Sequence, residues 1–173
     1  MKILAVSGSL QARSSNTALL RTAHRVAPAG VEIIHSLSVG DVPPFNPDLE
    51  RDGPAPDAVD GWRGQMAAAN GVLIASPEYA HSLPGSLKNA LDWLVGSGEL
   101  YGKRVAVLCG SPRPNGGALG RQALEQTLNA QGAIVVVSAT VVVPVTDKGA
   151  EELRGPAAVA AVEAAIDALT AWP

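Results

Sequence analysis

Small hydroxyl and amide side chains gather in the segment Gly8–Thr17, which joins an apolar stretch to an amphipathic one. If a helix begins there, its first N–H groups and the positive end of its dipole favour a phosphate. Ser9, Ser14, Ser15 and Asn16 can each add a hydrogen bond to such a group. The segment contains neither Gly-x-Gly-x-x-Gly nor Gly-Lys-Ser/Thr, so a mononucleotide phosphate fits better than a dinucleotide. The simpler alternative is that Ser14 or Ser15 only caps the helix.

A second candidate segment, Pro77–Ser82, follows the apolar run Gly71–Ala75. Loops at the carboxyl ends of parallel strands bind ligands in open α/β sheets. Pro77 and Pro84 stiffen this loop, so its backbone N–H and C=O groups can hold fixed positions against a flat polar ligand. The loop is therefore predicted to contact a planar molecule through its main chain.

The third candidate segment, Gly110–Gly117, follows the apolar run Arg104–Cys109 and leads into another amphipathic stretch. The neighbouring glycines Gly116 and Gly117 allow the backbone to approach a ligand closely. A tight turn between a strand and a helix also uses glycine, so both interpretations stay open for this loop taken alone.

A sheet must bring these three loops to one edge. Runs that are apolar throughout, instead of alternating, indicate parallel strands buried on both faces. The predicted strands are Ile3–Ser7, Val31–Leu37, Gly71–Ala75, Arg104–Cys109 and Ala133–Ser138, the last with or without Val141–Val143. The predicted helices are Asn16–Ala27, Ala58–Asn70, Pro84–Val95, one from Gly117 to Gln131 and a last one marked by Val159, Val162, Ile166 and Leu169. The alternation predicts an α/β fold, a doubly wound five-stranded parallel sheet with helices on both faces.

Length and charge limit the class of protein. The 173 residues predict one domain spanning 1–173. A net charge of −3, with 17% charged residues, gives no electrostatic footprint for nucleic acid. No run approaches the roughly 18 apolar residues of a membrane span, and the first apolar run is shorter than a signal-peptide core. We therefore expect a soluble cytoplasmic protein without a nucleic-acid or membrane partner.

Cys109 is the only cysteine, which excludes an internal disulfide and any multi-cysteine metal site. It is predicted to be a small buried residue that ends a strand. His24, His35 and His81 lie far apart in the chain, with no metal-ligand spacing. No metal is therefore expected.

The stretch Ser76–Trp93 reads Ser-Pro-Glu-Tyr-Ala-His-Ser-Leu-Pro-Gly-Ser-Leu-Lys-Asn-Ala-Leu-Asp-Trp. It resembles the NADPH-dependent FMN reductase family, flavoproteins of flavodoxin-like fold that carry a Pro-Glu-Tyr-Asn loop followed by Ser-x-Pro-Gly-x-Leu-Lys-Asn-Ala-x-Asp-Trp. The first loop is similar to the family's Gly-Ser-Leu-Arg-x-x-Ser-x-Asn phosphate loop. Pro44–Glu50, within the proline-rich loop Ser38–Pro56, is similar to another common family segment. Two positions depart from the family pattern, since Gln11 replaces an Arg and Ala80 replaces an Asn.

The resemblance implies strand order 2-1-3-4-5, with FMN lying across the loops after strands one, three and four. The first loop would hold the phosphate, with Arg13 compensating for the charge lost at Gln11, and the ring would run from the second loop to the third. The implied cofactor-binding residues are Ser9, Gln11, Arg13, Ser14, Ser15, Asn16, Pro77, Glu78, Tyr79, Ala80, Ser111, Gly116 and Gly117. Ser9, Tyr79 and Gly116 are expected around one hollow. No catalytic side chain is expected, because Glu78 is assigned a structural hydrogen bond or a subunit contact, and His81 is placed at the pocket rim or in solvent.

The implied activity is that of an FMN-dependent NAD(P)H oxidoreductase. Hydride passes from NADPH or NADH to flavin N5 and then to a small-molecule electron acceptor, and two reactants sharing one site predict ping-pong kinetics. Family acceptors include free flavins, quinones, azo compounds and metal oxyanions. Family members form homodimers or homotetramers, in which Trp62 or Trp93 would either serve the subunit contact or pack a helix. Two alternatives stay open: a flavodoxin-type electron carrier and a non-catalytic FMN-binding regulator.

Overall fold

The computed structural model describes residues 1–51 and 53–171. In this part of the chain, strands and helices alternate throughout. The strands are β1 (Lys2–Ser7), β2 (Glu32–His35), β3 (Gly71–Ala75), β4 (Arg104–Ser111) and β5 (Ile134–Val142). The α-helices are α1 (Ser15–Val26), α2 (Asp57–Ala68), α3 (Gly85–Asp92), α4 (Ala118–Ala130) and α5 (Pro156–Thr170). Short 3₁₀ helices, Pro47–Glu50 and Val145–Asp147, lie before α2 and after β5. None of the helices among the described residues is long and apolar enough to cross a membrane.

The strands form one sheet in the order β2-β1-β3-β4-β5, and all neighbours pair in parallel. The predicted α/β class and strand order are confirmed. The order reverses between β1 and β3, so the loops that follow these strands lie where open α/β sheets bind ligands. β2 is shorter than the predicted Val31–Leu37. In the described part of the chain it pairs with β1 alone, at an edge of the sheet.

Helices cover both faces of the sheet, as predicted, and each face carries a core. Every residue of β3 is buried, with Val72 and Ile74 in one core and Leu73 and Ala75 in the other. The first core is completed by side chains of α2, α3 and α4, and the second by side chains of α1 and α5. Burying one Leu or Ile stabilises the fold by about 1.5–3 kcal/mol, which explains why this central strand is apolar throughout.

β4 and β5 extend further than the sequence predicts. β4 continues past Cys109 to Ser111, and β5 runs unbroken to Val142. The extension is mutual, because Gly110 pairs with Val141 and Ser111 pairs with Val142. Cys109 is buried as predicted, but it lies inside the strand instead of ending it.

Helix α3 fastens the long loop between β2 and α2. The Asn89 side chain donates to the Pro43 carbonyl at 2.9 Å and accepts from the Phe45 N–H at 2.7 Å. The Trp93 indole N–H donates to the same Pro43 carbonyl at 2.8 Å, and its ring meets Phe45 edge-on at 5.0 Å between centroids. Trp93 and Trp62 are fully buried, so of their two predicted roles the structure shows helix packing.

Candidate functional site

The loops that follow β1, β3 and β4 are tied together at one edge of the sheet. The Gly8 N–H donates to the Ala75 carbonyl at 2.9 Å, which joins the first loop to the end of β3. The Asn16 side-chain carbonyl accepts from the Gly110 N–H at 2.8 Å, which joins the start of α1 to the end of β4. The three candidate segments are therefore neighbours, as the strand order requires.

A cavity of about 500 Å³ opens between the second and third loops. The predicted residues that line it are Pro77, Glu78, Ser111, Gly116 and Gly117. His81 also lines it while its side chain stays 80% exposed, as expected for a residue at the rim. Sequence reasoning missed the other lining residues, Cys109, Gly110, Pro112, Arg113 and Asn115, since the Pro-Arg-Pro-Asn stretch of this loop matches no motif.

The glycine pair closes the third loop against the end of β4. Gly117 precedes α4 with φ +82°, in the left-handed region, and a side chain there would overlap the Cys109 thiol. A side chain at Gly116 would overlap the Ser111 hydroxyl. Among the described residues, none accepts a hydrogen bond from the Gly117 N–H. The turn therefore carries a backbone donor beside the cavity.

Glu78 binds the N-terminus of α4. Its carboxylate accepts from the Gly120 N–H at 2.9 Å and lies 3.3 Å from His81 Nδ1. The Gly120 hydrogen bond, with a smaller contribution from His81, holds the pKa of Glu78 below its usual value. A Cβ at Gly120 would lie 2.9 Å from Glu78 Cβ and 3.0 Å from its Cα, so glycine permits this close approach. The structural hydrogen bond predicted for Glu78 is present.

The tip of the second loop is a tight turn in an unfavourable backbone conformation. Tyr79 and Ser82 exchange backbone hydrogen bonds of 2.9 and 3.0 Å and enclose Ala80 and His81. The enclosed residues have φ of 49° and 62°, the pattern of a type I′ turn, which favours Asn and Gly. The Asn that the family carries in place of Ala80 therefore suits this backbone.

The first loop arranges its residues around the start of α1. Ser14 is the N-cap, since its hydroxyl accepts from the Asn16 N–H at 3.2 Å, so the predicted capping role is present for one of the two serines. In the described part of the chain, the N–H groups of Ser15 and Thr17 have no acceptor. Two backbone donors therefore remain at this helix end.

The other first-loop residues lie away from the cavity. Gln11 and Arg13 are exposed, and Arg13 lies beside Gly149 of the loop between β5 and α5. Ser9 lines a separate hollow of about 240 Å³ between the loops after β1 and β2. Tyr79 is 53% exposed on its turn and lines neither space. The single hollow expected around Ser9, Tyr79 and Gly116 is therefore not what the structure shows.

The cavity is suited to binding more than to side-chain catalysis. Its carboxylate, Glu78, is hydrogen-bonded to α4. Its thiol belongs to Cys109, whose pKa is raised by burial, so the thiol stays neutral near pH 7. The remaining lining residues come from the second and third loops and from the end of β4, and include the glycines Gly110, Gly116 and Gly117, whose main chain is not covered by a side chain. Such a wall can hold and polarise a flat polar molecule through backbone groups.

The chain is similar to proteins of known activity. A sequence model of NADPH-dependent FMN reductases matches residues 1–148. A quinone reductase of Escherichia coli K12 is 35% identical over 138 residues, which cover 79% of this chain and 73% of the relative. An NAD(P)H-dependent FMN reductase of Pseudomonas aeruginosa is 38% identical over 130 residues, covering 74% of this chain and 69% of the relative.

A solved structure shares both the fold and detectable sequence similarity. The flavoenzyme NAD(P)H:(acceptor) oxidoreductase FerB of Paracoccus denitrificans superposes with a TM-score of 0.74 at 27% identity. The superposition covers 97% of this chain and 96% of FerB. The matched residues include all three loops of the site, and the chain belongs to the NADPH-dependent FMN reductase family.

Proposed function

We propose that this protein is an FMN-dependent NAD(P)H oxidoreductase that passes electrons to a small-molecule acceptor. The observation that carries the proposal is the cavity between Pro77–Glu78 and Gly116–Gly117. A hydrogen bond from the N–H of its lining residue Gly110 to the Asn16 side chain ties this cavity to the start of α1. The names of the relatives, quinone reductase and NAD(P)H-dependent FMN reductase, support it.

The first loop fits a phosphate. The Ser15 and Thr17 N–H groups remain available at the start of α1, where the helix dipole favours an anion. The exposed Arg13 supplies a positive charge close to this helix end. We assign phosphate contacts to Ser9, Gln11, Arg13, Ser14, Ser15 and Asn16.

The second and third loops fit a planar ring. Pro77 and Glu78 form one wall of the cavity, and Ser111, Gly116 and Gly117 form the other. Glycine lets the backbone of the third loop approach a ligand, and the Gly117 N–H is free to donate. Tyr79 and Ala80 directly follow Pro77 and Glu78 in the chain, and we assign them to the edge of the ring.

FMN bound there would accept hydride from NAD(P)H and deliver two electrons to the acceptor. The chain's part is to bind and orient, because Glu78 is held by α4 and Cys109 is neutral. We propose that the nicotinamide and the acceptor use the same open side of the cavity in turn, which gives ping-pong kinetics. Quinones are the first acceptors to test, in view of the relatives' names, followed by free flavins, azo compounds and metal oxyanions.

We also propose a homodimer that uses the groove between α3 and α4. This groove measures about 510 Å³, and Val95, one of its lining residues, is 62% exposed. Leu119 lies on the same face of α4 as Ala123 and Thr127 of the groove, at helical spacing, and is 47% exposed. Val95→Lys should reduce the mass measured by sedimentation equilibrium to that of one chain.

A cytoplasmic location and the single domain 1–173 stay predictions.

The test of the site uses two glycines with similar backbones. Gly117→Ala places a methyl group against Cys109 and should weaken FMN binding at least about tenfold. Gly98→Ala imposes similar strain at φ +80°, but no atom of the described residues beyond its chain neighbours lies within 4 Å of the added carbon, so FMN affinity should stay unchanged. Equal affinities in both variants would show that FMN binds elsewhere.

Turnover separates the enzyme from its alternatives. If the protein is an enzyme, anaerobic NADPH or NADH should remove the flavin absorbance of the FMN-loaded protein, and a quinone should restore it. A flavodoxin-type carrier would bind FMN without reduction by nicotinamide. A non-catalytic regulator would bind FMN and turn over no acceptor.

A further inference from the structure

Arg121 lies in a polar network behind the turn that contains Gly116 and Gly117, and it is not among the residues that line the cavity. Its guanidinium donates to the Ser138 hydroxyl at 2.6 Å and to the Thr140 hydroxyl at 3.2 Å. Glu125, one turn further along α4, lies 3.5 Å from the guanidinium and accepts from the Ser138 hydroxyl. The side chain of Arg121 is 21% exposed, so these bonds hold it in one position between α4 and β5.

The network reaches the turn that lines the cavity. The Thr140 hydroxyl donates to the Gly116 carbonyl at 3.1 Å, and the Arg121 backbone N–H donates to the Gly117 carbonyl at 2.9 Å. Because a trans peptide is planar, the Gly117 N–H points opposite to the Gly116 carbonyl. The bond to Thr140 therefore turns this N–H away from β5, and Gly117 itself lines the cavity.

Arg121 also places a positive charge near the cavity wall. Its field reaches Cys109, a lining residue, where it acts against the burial that raises the thiol pKa. Two other charges line the cavity: Arg113, and Glu78, whose carboxylate is engaged by the start of α4. Glu125 offsets part of the Arg121 charge from the side away from the turn.

We propose that Arg121 is a positioning residue that stabilises reduced FMN more than oxidised FMN in this cavity. The inference rests on the proposed function. Hydride transfer adds two electrons and one proton to FMN and leaves the nicotinamide as its oxidised cation, so reduced FMN carries one more negative charge. A free backbone N–H on Gly117, which lines the cavity, and the nearby Arg121 cation both favour that charge.

The test compares the affinity of the protein for the two forms of FMN. Fluorescence titration gives the dissociation constant of oxidised FMN, and redox titration against a dye of known potential gives its ratio to that of reduced FMN. Arg121→Gln should lower the preference for reduced FMN by about tenfold, the size expected for one partly screened charge. Arg121→Lys should restore most of it, because the charge returns.

Two further variants separate charge from orientation. Thr140→Val keeps the charge but releases the Gly116 carbonyl, so the preference should fall by less than in Arg121→Gln. Glu125→Gln removes the opposing charge, so the preference should rise. Arg154→Gln is the control, since this exposed arginine contacts only Glu152 among the described residues.

If Arg121 had only a structural role, Arg121→Gln would weaken the binding of oxidised and reduced FMN equally and leave the ratio of their dissociation constants unchanged. That result would overturn this inference but not the proposed function. If Arg121→Gln does not fold, opposite shifts in Thr140→Val and Glu125→Gln support the inference, and unchanged ratios in both overturn it. If the unmutated protein binds no FMN, the proposed function and this inference fall together.

Discussion

Gly120 is the residue at which α4 comes closest to the second loop. In Gly120→Ala the new methyl group would meet Glu78 at 2.9–3.0 Å. Overpacking of this kind destabilises by about 1–3 kcal/mol, more than Ala gains over Gly in a helix. We expect the free energy of unfolding in urea to fall by about 1–2 kcal/mol and FMN binding to weaken.

Gly64→Ala in α2 is the matched control, because outside its own helix no atom of the described residues lies within 4 Å of the added carbon. It should raise the free energy of unfolding by about 0.5–1 kcal/mol and leave FMN binding unchanged. If both variants were stabilised alike, the close contact between Glu78 and Gly120 would not exist in solution.

Ala80 is a non-glycine residue held at φ 49°. The left-handed conformation is unfavourable for Ala by about 1–2 kcal/mol, and glycine adopts it freely. Ala80→Gly should therefore raise the free energy of unfolding by about 0.5–1 kcal/mol, and Ala80→Asn should also stabilise the turn. Ala160→Gly, at an exposed site in α5, should lose about 1 kcal/mol by the same measurement. Loss of stability in both glycine variants would argue against the type I′ turn.

The carboxylate of Glu78 links stability to pH. Its hydrogen bond from Gly120 lowers the folded-state pKa below the ordinary 4.5, so the stabilisation is complete above pH 4.5 and lost as pH falls through the lowered value. Glu78→Gln should therefore be less stable than the unmutated protein at neutral pH, and the difference should shrink in acid. Urea unfolding across this range measures it, with the exposed Glu151→Gln as control. A difference that stays constant with pH would rule out the ionised carboxylate as its source.

The chemistry of single residues was only partly readable from the sequence. The capping role of Ser14 follows from local rules, because its partner lies two residues away. The contact of Glu78 with Gly120 joins residues 42 positions apart and carries no local signal. The exclusion of Ser9 from the main cavity likewise depends on how β2 and its loop pack.

At the scale of elements, α3 organises the long loop before α2. Asn89→Ala removes the bonds to the Val42 and Pro43 carbonyls and to the Phe45 N–H. We expect the free energy of unfolding to fall by about 1–3 kcal/mol, because these loop groups lose their partners. Amide hydrogen exchange at Phe45 should also become faster.

Lys88→Ala is the control for the same helix, since among the described residues its ammonium pairs only with the partly exposed Asp92 carboxylate. Such a pair contributes about 0–1 kcal/mol, and exchange at Phe45 should stay unchanged. If Asn89→Ala leaves both stability and exchange at Phe45 unaltered, α3 does not fasten this loop.

Elements were predicted best where burial alone decides them. β3 lies where the sequence places it, because both of its faces meet a core. The end of β4 was predicted too early, since Gly110 and Ser111 are weak strand formers that stay extended only because β5 pairs with them. Local preference could not reveal that pairing.

At the scale of the whole molecule, the strand order brings three loops to one edge and the family match covers all of them. The α/β class follows from the apolar pattern, but the cavity between only two of the loops depends on the packed side chains. Under the proposed function, this edge would bind the ring in the cavity and the phosphate at the neighbouring start of α1.

The most direct test is anaerobic titration of the FMN-loaded protein with NADPH and, separately, NADH, while the flavin absorbance is followed. We predict loss of the absorbance with one equivalent of at least one nicotinamide and its return on adding a quinone. Gly117→Ala should bind FMN at least about tenfold more weakly. A protein that binds no FMN, or whose bound flavin neither NADPH nor NADH reduces, would contradict the proposed function.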